Sequence, residues 1–182
     1  MSRHVIAMVV VACALASVAH AELRPVVEVE ETIYTYTNAD NGSSPLWGYG
    51  CNAMVRRGDD LFFNATRLIP DAQPLNNVRW ELMKRTDEGW QPVQRDEVDR
   101  TRENSPIGIM RDGRIFMSVN PTLTPGERYG TAEPRVLIFP ADDPSGEYET
   151  SVPRWDPAPD FREHSYRGFC VDPDNGECLI LQ

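Results

Sequence analysis

The chain reads as an all-β protein built from a repeated four-stranded unit, and three observations carry that reading. No segment has the 3.6-residue periodicity of an amphipathic helix, whereas short alternating runs rich in β-branched and aromatic residues recur throughout. Serine landmarks return at a near-constant interval: Ser44, Ser105 and Ser165 lie 61 and 60 residues apart. The residues that lead into two of the units also match, Arg102-Glu103-Asn104-Ser105 against Arg162-Glu163-His164-Ser165, and Pro45 and Pro106 follow the first two serines.

Taken in order, residues 1–21 combine Arg3, an apolar run over 5–18 and the small-residue site Ala19-His20-Ala21, the pattern of a secretory signal peptide cleaved after Ala21. The expected location is therefore secreted or periplasmic. The apolar run is shorter than the roughly 20 residues that span a bilayer, so no membrane span is expected. Residues 26–37 alternate as one or two strands, and 38–45 form a loop.

The first unit then has strands over 48–55 and 61–68 around the turn Arg57-Gly58-Asp59-Asp60. A third strand over 78–82 is followed by a turn at Thr86-Asp87-Glu88-Gly89 and a short fourth strand over 91–94. The second unit repeats the plan. Its hairpin over 107–110 and 114–119 turns at Asp112-Gly113, a connection covers 120–134, and strands follow over 135–139 and 147–152. A third unit begins at Ser165, turns at Asp174-Asn175-Gly176 and stops in a strand over 179–182.

Four antiparallel strands per unit is the count for a β-propeller blade. The expectation is a signal peptide followed by an incomplete propeller domain over 22–182, with units near 44–95, 105–153 and 165–182. Such units do not close a ring and they leave an open edge, so the chain is expected to be a fragment, with the strand in 26–37 completing a missing blade. A two-sheet β-sandwich is the alternative architecture.

Composition narrows the functional classes. The formal charge of −10 becomes −11 once the signal is removed, which excludes nucleic acid and anionic membrane surfaces as natural partners. Only Lys84 among the 18 basic residues is lysine, leaving many arginines able to grip carboxylates. Beyond the signal a single histidine remains, His164, so metal sites built on several imidazoles are not available and no metal or cofactor is expected. Cys51, Cys170 and Cys178 also remain. Cys170 and Cys178 stand opposite each other if the hairpin centres on Asp174, leaving two readings: a disulfide, or two half-buried free thiols.

A period near 60 residues, a secretory leader and the turn Thr86-Asp87-Glu88-Gly89-Trp90 after an alternating strand together resemble the sialidase-like β-propellers with BNR or Asp-box repeats. The second unit offers Asp143-Pro144-Ser145-Gly146 at the corresponding place. The family's Ser/Thr-x-Asp-x-Gly-x-x-Trp spacing is not kept, and its Phe/Tyr-Arg-Ile-Pro signature survives only as Tyr166-Arg167. The resemblance implies about two and a half blades of a six-bladed ring, with a site where the innermost strands begin.

That end gathers the candidate residues. Glu103 and Glu163 are either paired carboxylates for acid/base work on a glycosidic bond or salt-bridge partners of Arg102 and Arg162. His164 titrates near neutrality and suits a general base or a sugar hydrogen bond; the other reading is a loop histidine. Arg102, Arg162 and Arg167 suit an anionic sugar, and Trp47, Tyr49 and Tyr166 suit stacking on a sugar ring or packing between blades. Asn41-Gly42-Ser43 and Asn64-Ala65-Thr66 are N-glycosylation sequons. The expected partner is a carbohydrate and the expected function a sialidase-like glycoside hydrolase acting on extracellular glycans; the alternative is a non-catalytic propeller that binds glycan or protein.

Overall fold

The computed structural model describes residues 24–47, 51–162 and 168–181. The chain divides into two compact units, residues 1–32 and residues 33–182. In the first, residues 24–32 carry no regular secondary structure and are exposed, with Val26 and Val27 each at 79%.

The second unit contains three antiparallel sheets, and no helix occurs among the described residues. The first sheet is a meander of β1 (Met54–Arg57), β2 (Asp60–Leu68), β3 (Val78–Thr86) and β4 (Gly89–Arg95). The second repeats it with β5 (Ile107–Ile109), β6 (Ile115–Val119), β7 (Arg135–Phe139) and β8 (Glu149–Ser151). The third is a hairpin of β9 (Gly168–Asp172) and β10 (Glu177–Leu181). Each repeat thus keeps its own hydrogen-bonded sheet.

Side-chain alternation turns these sheets into a stack. Ile115, Met117 and Val119 point to one face of β6 and Phe116 to the other, as the two-residue period of a strand requires. The first face meets Val55, Phe62, Trp80 and Leu82 of the first sheet, with Leu137 and Phe139 completing that layer. Phe116, with Met110 and Val136, instead meets Phe169, Val171 and Ile180 of the third sheet. Phe62, Leu82, Ile115, Met117 and Phe139 are fully buried. Each such side chain contributes about 1.5–3 kcal/mol relative to exposure. Trp80, Phe139 and Tyr148 pack at centroid distances of 5.2–5.8 Å, two of the three contacts edge-on.

The first strands of the three sheets lie side by side in sequence order. The Ile107 N–H donates to the Asn52 carbonyl at 2.9 Å, joining the approach to β1 with β5. On the other side of β5, a Cβ on Gly108 would fall 2.7 Å from Val171 Cγ1, so only glycine lets β5 and β9 come this close. Consecutive hairpin tips are also tied: Arg57 donates to the carbonyls of Gly113 and Ala141, and Arg111 pairs with Asp174.

Two expectations fail. Residues 26–37 form no strand, because β propensity supplies no ladder without a partner edge. Ile33 and Tyr34 instead pack against Phe63, Ala65 and Met83 on the outer face of the first sheet, with Tyr34 and Phe63 centroids 5.9 Å apart. The disulfide reading fails on register. Cys170 lies opposite Leu179 and Cys178 opposite Val171, so the thiols point to opposite faces and both are free. They are also exposed rather than half-buried in a core. The Asp172 carboxylate causes the offset: Oδ1 accepts from the N–H groups of Asp174 and Asn175 at 2.9 and 3.2 Å, closing a four-residue loop whose centre falls between Asp174 and Asn175. The Asn175 amide at 2.8 Å completes this set, and these hydrogen bonds hold the carboxyl below its ordinary range.

Candidate functional site

The approach to β5 lies against the end of the long β2–β3 connection, and Phe161 and Arg162 lie against the β6–β7 connection. The matching entrances are held by matching devices. Thr101 and Val78 exchange both backbone hydrogen bonds at 2.8 and 3.1 Å, which fixes the residues that follow, Arg102, Glu103 and Asn104. One unit later Ala132 N–H donates to the Phe161 carbonyl at 3.0 Å, and Thr131 bridges to Arg162. In both places an asparagine amide caps the entrance arginine's own carbonyl: Asn41 Nδ2 to Arg102 at 2.9 Å, Asn120 Nδ2 to Arg162 at 3.0 Å.

Arg102 is not presented to solvent. It is 8% exposed, and its Nε donates to the Asn41 carbonyl at 2.9 Å. Loop 40–43 wraps the guanidinium closely. Gly42 has φ +78°, and a Cβ there would lie 2.9 Å from Arg102 Nη2. The Ser43 hydroxyl donates to the Arg102 carbonyl at 2.8 Å, and Asn41 Nδ2 also lies 2.9 Å from Asn77 Oδ1 and 3.2 Å from the Leu75 carbonyl. This is a clasp between the loop before β1 and the connection before β5. The cavity beside it, lined by Tyr36, Ser43, Thr66 and Arg102 among others, has a volume of ≈ 10 Å³, about enough for one water.

The remaining candidates divide. Arg162 is exposed, with Nη1 donating to the Tyr129 carbonyl at 3.1 Å. Glu103 is half-buried beside Arg102. Glu163, His164, Tyr166, Arg167 and Tyr49 lie outside the described residues, as does the signal peptide, so a pairing of Glu103 with Glu163 has no described geometry. Trp47 is half-buried, with its N–H bonded to the Ser44 carbonyl at 2.9 Å. Neither sequon is open to a glycosyltransferase: Asn41 and Asn64 are 1% and 0% exposed.

The Asp-box-like turns are held by other groups than the motif requires. In the first, the Thr86 hydroxyl donates to the Gly89 carbonyl at 2.8 Å and accepts from Glu88 N–H at 3.2 Å, while Trp90 packs edge-on against Phe63. In the second, Asp143 Oδ1 accepts from the Ser145 N–H and hydroxyl at 3.1 and 2.5 Å, and Gln94 Nε2 reaches across to the Gly146 carbonyl at 2.9 Å.

Sequence reasoning missed an open groove. Pro70, Asp71, Ala72 and Gln73 form one wall and Arg100, Pro125 and Gly126 the other, around a volume of ≈ 300 Å³. Asp71 has φ +60°, an uncommon conformation for a residue with a side chain. The proline content of the two connections marked them as loops, but nothing in the sequence places 70–73 against 125–126. Among the described residues no group of three or more His, Cys, Asp or Glu side chains is arranged to hold a metal ion.

No family model matches the chain, and neither a curated protein nor a solved structure is significantly similar to it.

Proposed function

We propose that the chain is part of a secreted, sialidase-like β-propeller whose loop end binds extracellular glycan without cleaving it. The architecture supports a propeller: four-stranded meanders stack face to face in sequence order, with their first strands adjacent. The observation that carries the binding function is the groove between residues 70–73 and 125–126. It is open, and it presents a carboxylate (Asp71), an amide (Gln73) and a guanidinium (Arg100), complementary to the donors and acceptors of a sugar. The commitment of Arg102 to its clasp removes one of the arginines that anionic-sugar cleavage would use.

Calorimetric titration with a panel of neutral and uronate- or sialate-bearing oligosaccharides tests this reading. Binding without turnover, weakened at least about tenfold by Asp71→Ala or Arg100→Ala, is the expected result. Specific hydrolysis or elimination of any panel member would favour the second reading, a glycosidase. That reading has one structural support, the half-buried Glu103 carboxylate beside the buried Arg102 at the mouth. Under it Glu103→Gln abolishes turnover while the melting temperature stays put.

A further inference from the structure

The tripeptide Asp-Asn-Gly occurs twice in the chain, as Asp40-Asn41-Gly42 and as Asp174-Asn175-Gly176. An asparagine followed by glycine is open to one spontaneous reaction. The glycine nitrogen attacks the asparagine Cγ, ammonia leaves with the glycine N–H proton, and the resulting succinimide ring takes up water to give aspartate or isoaspartate. Glycine has no side chain to hinder the attack. Local sequence is the same at both places, and both glycines have positive φ, +78° at Gly42 and +71° at Gly176. What separates the two sites is their surroundings.

Asn41 is 1% exposed. Its Nδ2 donates to the carbonyls of Leu75 and Arg102 and to Asn77 Oδ1, and its Oδ1 accepts from the Ser43 N–H and hydroxyl at 3.0 and 2.8 Å. Reaction there requires both side-chain atoms to give up these partners, which opens the clasp. Asn175 instead stands exposed at the tip of the third hairpin. Its Nδ2 donates to Asp172 Oδ2 at 2.8 Å, and the Gly176 N–H donates to the Asp172 carbonyl at 2.9 Å. Breaking those two hydrogen bonds disturbs the turn alone, and solvent is at hand both to take up the Gly176 proton and to hydrolyse the ring.

We infer that Asn175 is a site of spontaneous modification, converted through the succinimide to aspartate or isoaspartate, while the clasp spares Asn41 in the same tripeptide. The product has no amide to donate to Asp172 Oδ2 and sets a second carboxylate beside it. Isoaspartate also adds a methylene to the backbone of a loop whose register pairs Asp172 with Glu177. Both changes loosen the turn that carries Asp174, the partner of Arg111 on the tip of the second sheet. Conversion therefore slackens the tie between the second and third sheets as the chain ages. The inference goes beyond the glycan reading and does not depend on it.

Peptide mapping by mass spectrometry, on the purified chain incubated at mildly alkaline pH, is the test. A parallel sample in urea supplies the reference, since unfolding gives both tripeptides the same solvation. In urea the two asparagines are expected to deamidate at similar rates. In the folded chain Asn175 is expected to convert at least about tenfold faster than Asn41, because local opening of an exposed turn costs less than opening a buried clasp. Comparing the two samples needs no variant. Amide hydrogen exchange then reads the consequence: faster exchange in β9 and β10 of the aged chain, and no such change in an aged Asn175→Gln chain, whose longer side chain does not close the five-membered ring. Asn41 converting as fast as Asn175 in the folded chain, or Asn175 staying intact there while the urea sample converts, would overturn the inference. Conversion that leaves exchange in β9 and β10 unaltered would overturn the slackening.

Discussion

Arg102, which the sequence offers as a grip for a sugar carboxylate, is built into the fold. Its guanidinium lies under Gly42 and donates to the Asn41 carbonyl, while its own carbonyl receives Asn41 and Ser43. Arg102→Ala leaves a buried carbonyl without its donor and is expected to cost about 1–3 kcal/mol in urea unfolding. Arg102→Lys will not restore it, since a lysine has no donor at the Nε position. A substrate clamp behaves otherwise: the same substitutions lower glycan affinity at unchanged stability. The clasp joins residues 61 positions apart, and no periodicity or motif reports such a contact. The matching Arg-Glu-x-Ser entrances were legible, but they mark the equivalence of two strand approaches, which repetition of a fold produces with or without a shared chemistry.

Asp96 is the other residue whose surroundings set a measurable behaviour. Its Oδ1 accepts from the N–H groups of Val98 and Asp99 at 2.9 and 3.0 Å, while Oδ2 is buried with no hydrogen-bond partner. Burial raises its pKa above the ordinary 3.8 despite those two hydrogen bonds; the Asp99 charge adds to the rise and Arg79 opposes it. A carboxyl whose folded-state pKa is raised contributes stability below the unfolded value, and that contribution is lost as pH rises through the folded one. Asp96→Asn keeps the accepting oxygen and removes the charge. It is expected to be more stable than the parent at pH 7 and to flatten the dependence of stability on pH above the ordinary carboxyl range. Urea titrations at several pH values measure both, and an Asn variant less stable than the parent at pH 7 would contradict the argument. Asp60 acts in the opposite sense. Hydrogen bonding to Lys84 lowers its pKa first and foremost, with Arg57 contributing, so its stabilisation is present above the unfolded carboxyl pKa and lost in acid.

At the scale of elements, the hairpins were readable because each satisfies two local rules at once. Alternation sets the strand faces, and a glycine stands where the turn needs positive φ: Gly58 at +57°, Gly89 at +102° and Gly113 at +89°. Residues 26–37 satisfy only the first rule and have no partner edge, so propensity alone misled. The third hairpin shows the limit from the other side. Its strands were found, yet side-chain hydrogen bonding by Asp172 lengthened the loop and moved the register off Asp174, which separated Cys170 from Cys178. Gly108 tests whether the close approach of β5 and β9 matters. Gly108→Ala is expected to destabilise the chain by about 1–3 kcal/mol through overpacking against Val171. Val171→Ala in the same chain should recover part of that loss, a coupling that a double-mutant cycle reads directly.

For the molecule as a stack, stability is set by how many faces of each sheet are covered. The second sheet is covered on both: Ile115, Met117 and Phe139 are buried toward the first sheet, and Phe116 and Val136 toward the third. The third sheet is covered only on the side of Phe169 and Val171, and its opposite face leaves Leu179 and Leu181 exposed. Opening β9 and β10 therefore exposes one apolar layer, whereas opening β6 and β7 exposes two and breaks ladders with both neighbouring strands. Amide hydrogen exchange is expected to follow this order, fastest in β9 and β10 and slowest in β6 and β7, with protection in β6 approaching the global unfolding free energy. Two substitutions separate local from global opening. Phe139→Ala removes a fully buried ring from the layer between the first and second sheets and is expected to cost about 3–5 kcal/mol throughout the stack. Phe169→Ala empties the layer beneath the third sheet and is expected to accelerate exchange in β9 and β10 far more than in β2 or β3. Equal acceleration in all three sheets after Phe169→Ala would mean that the stack opens as one cooperative body, and that the third sheet is held as firmly as the two sheets before it.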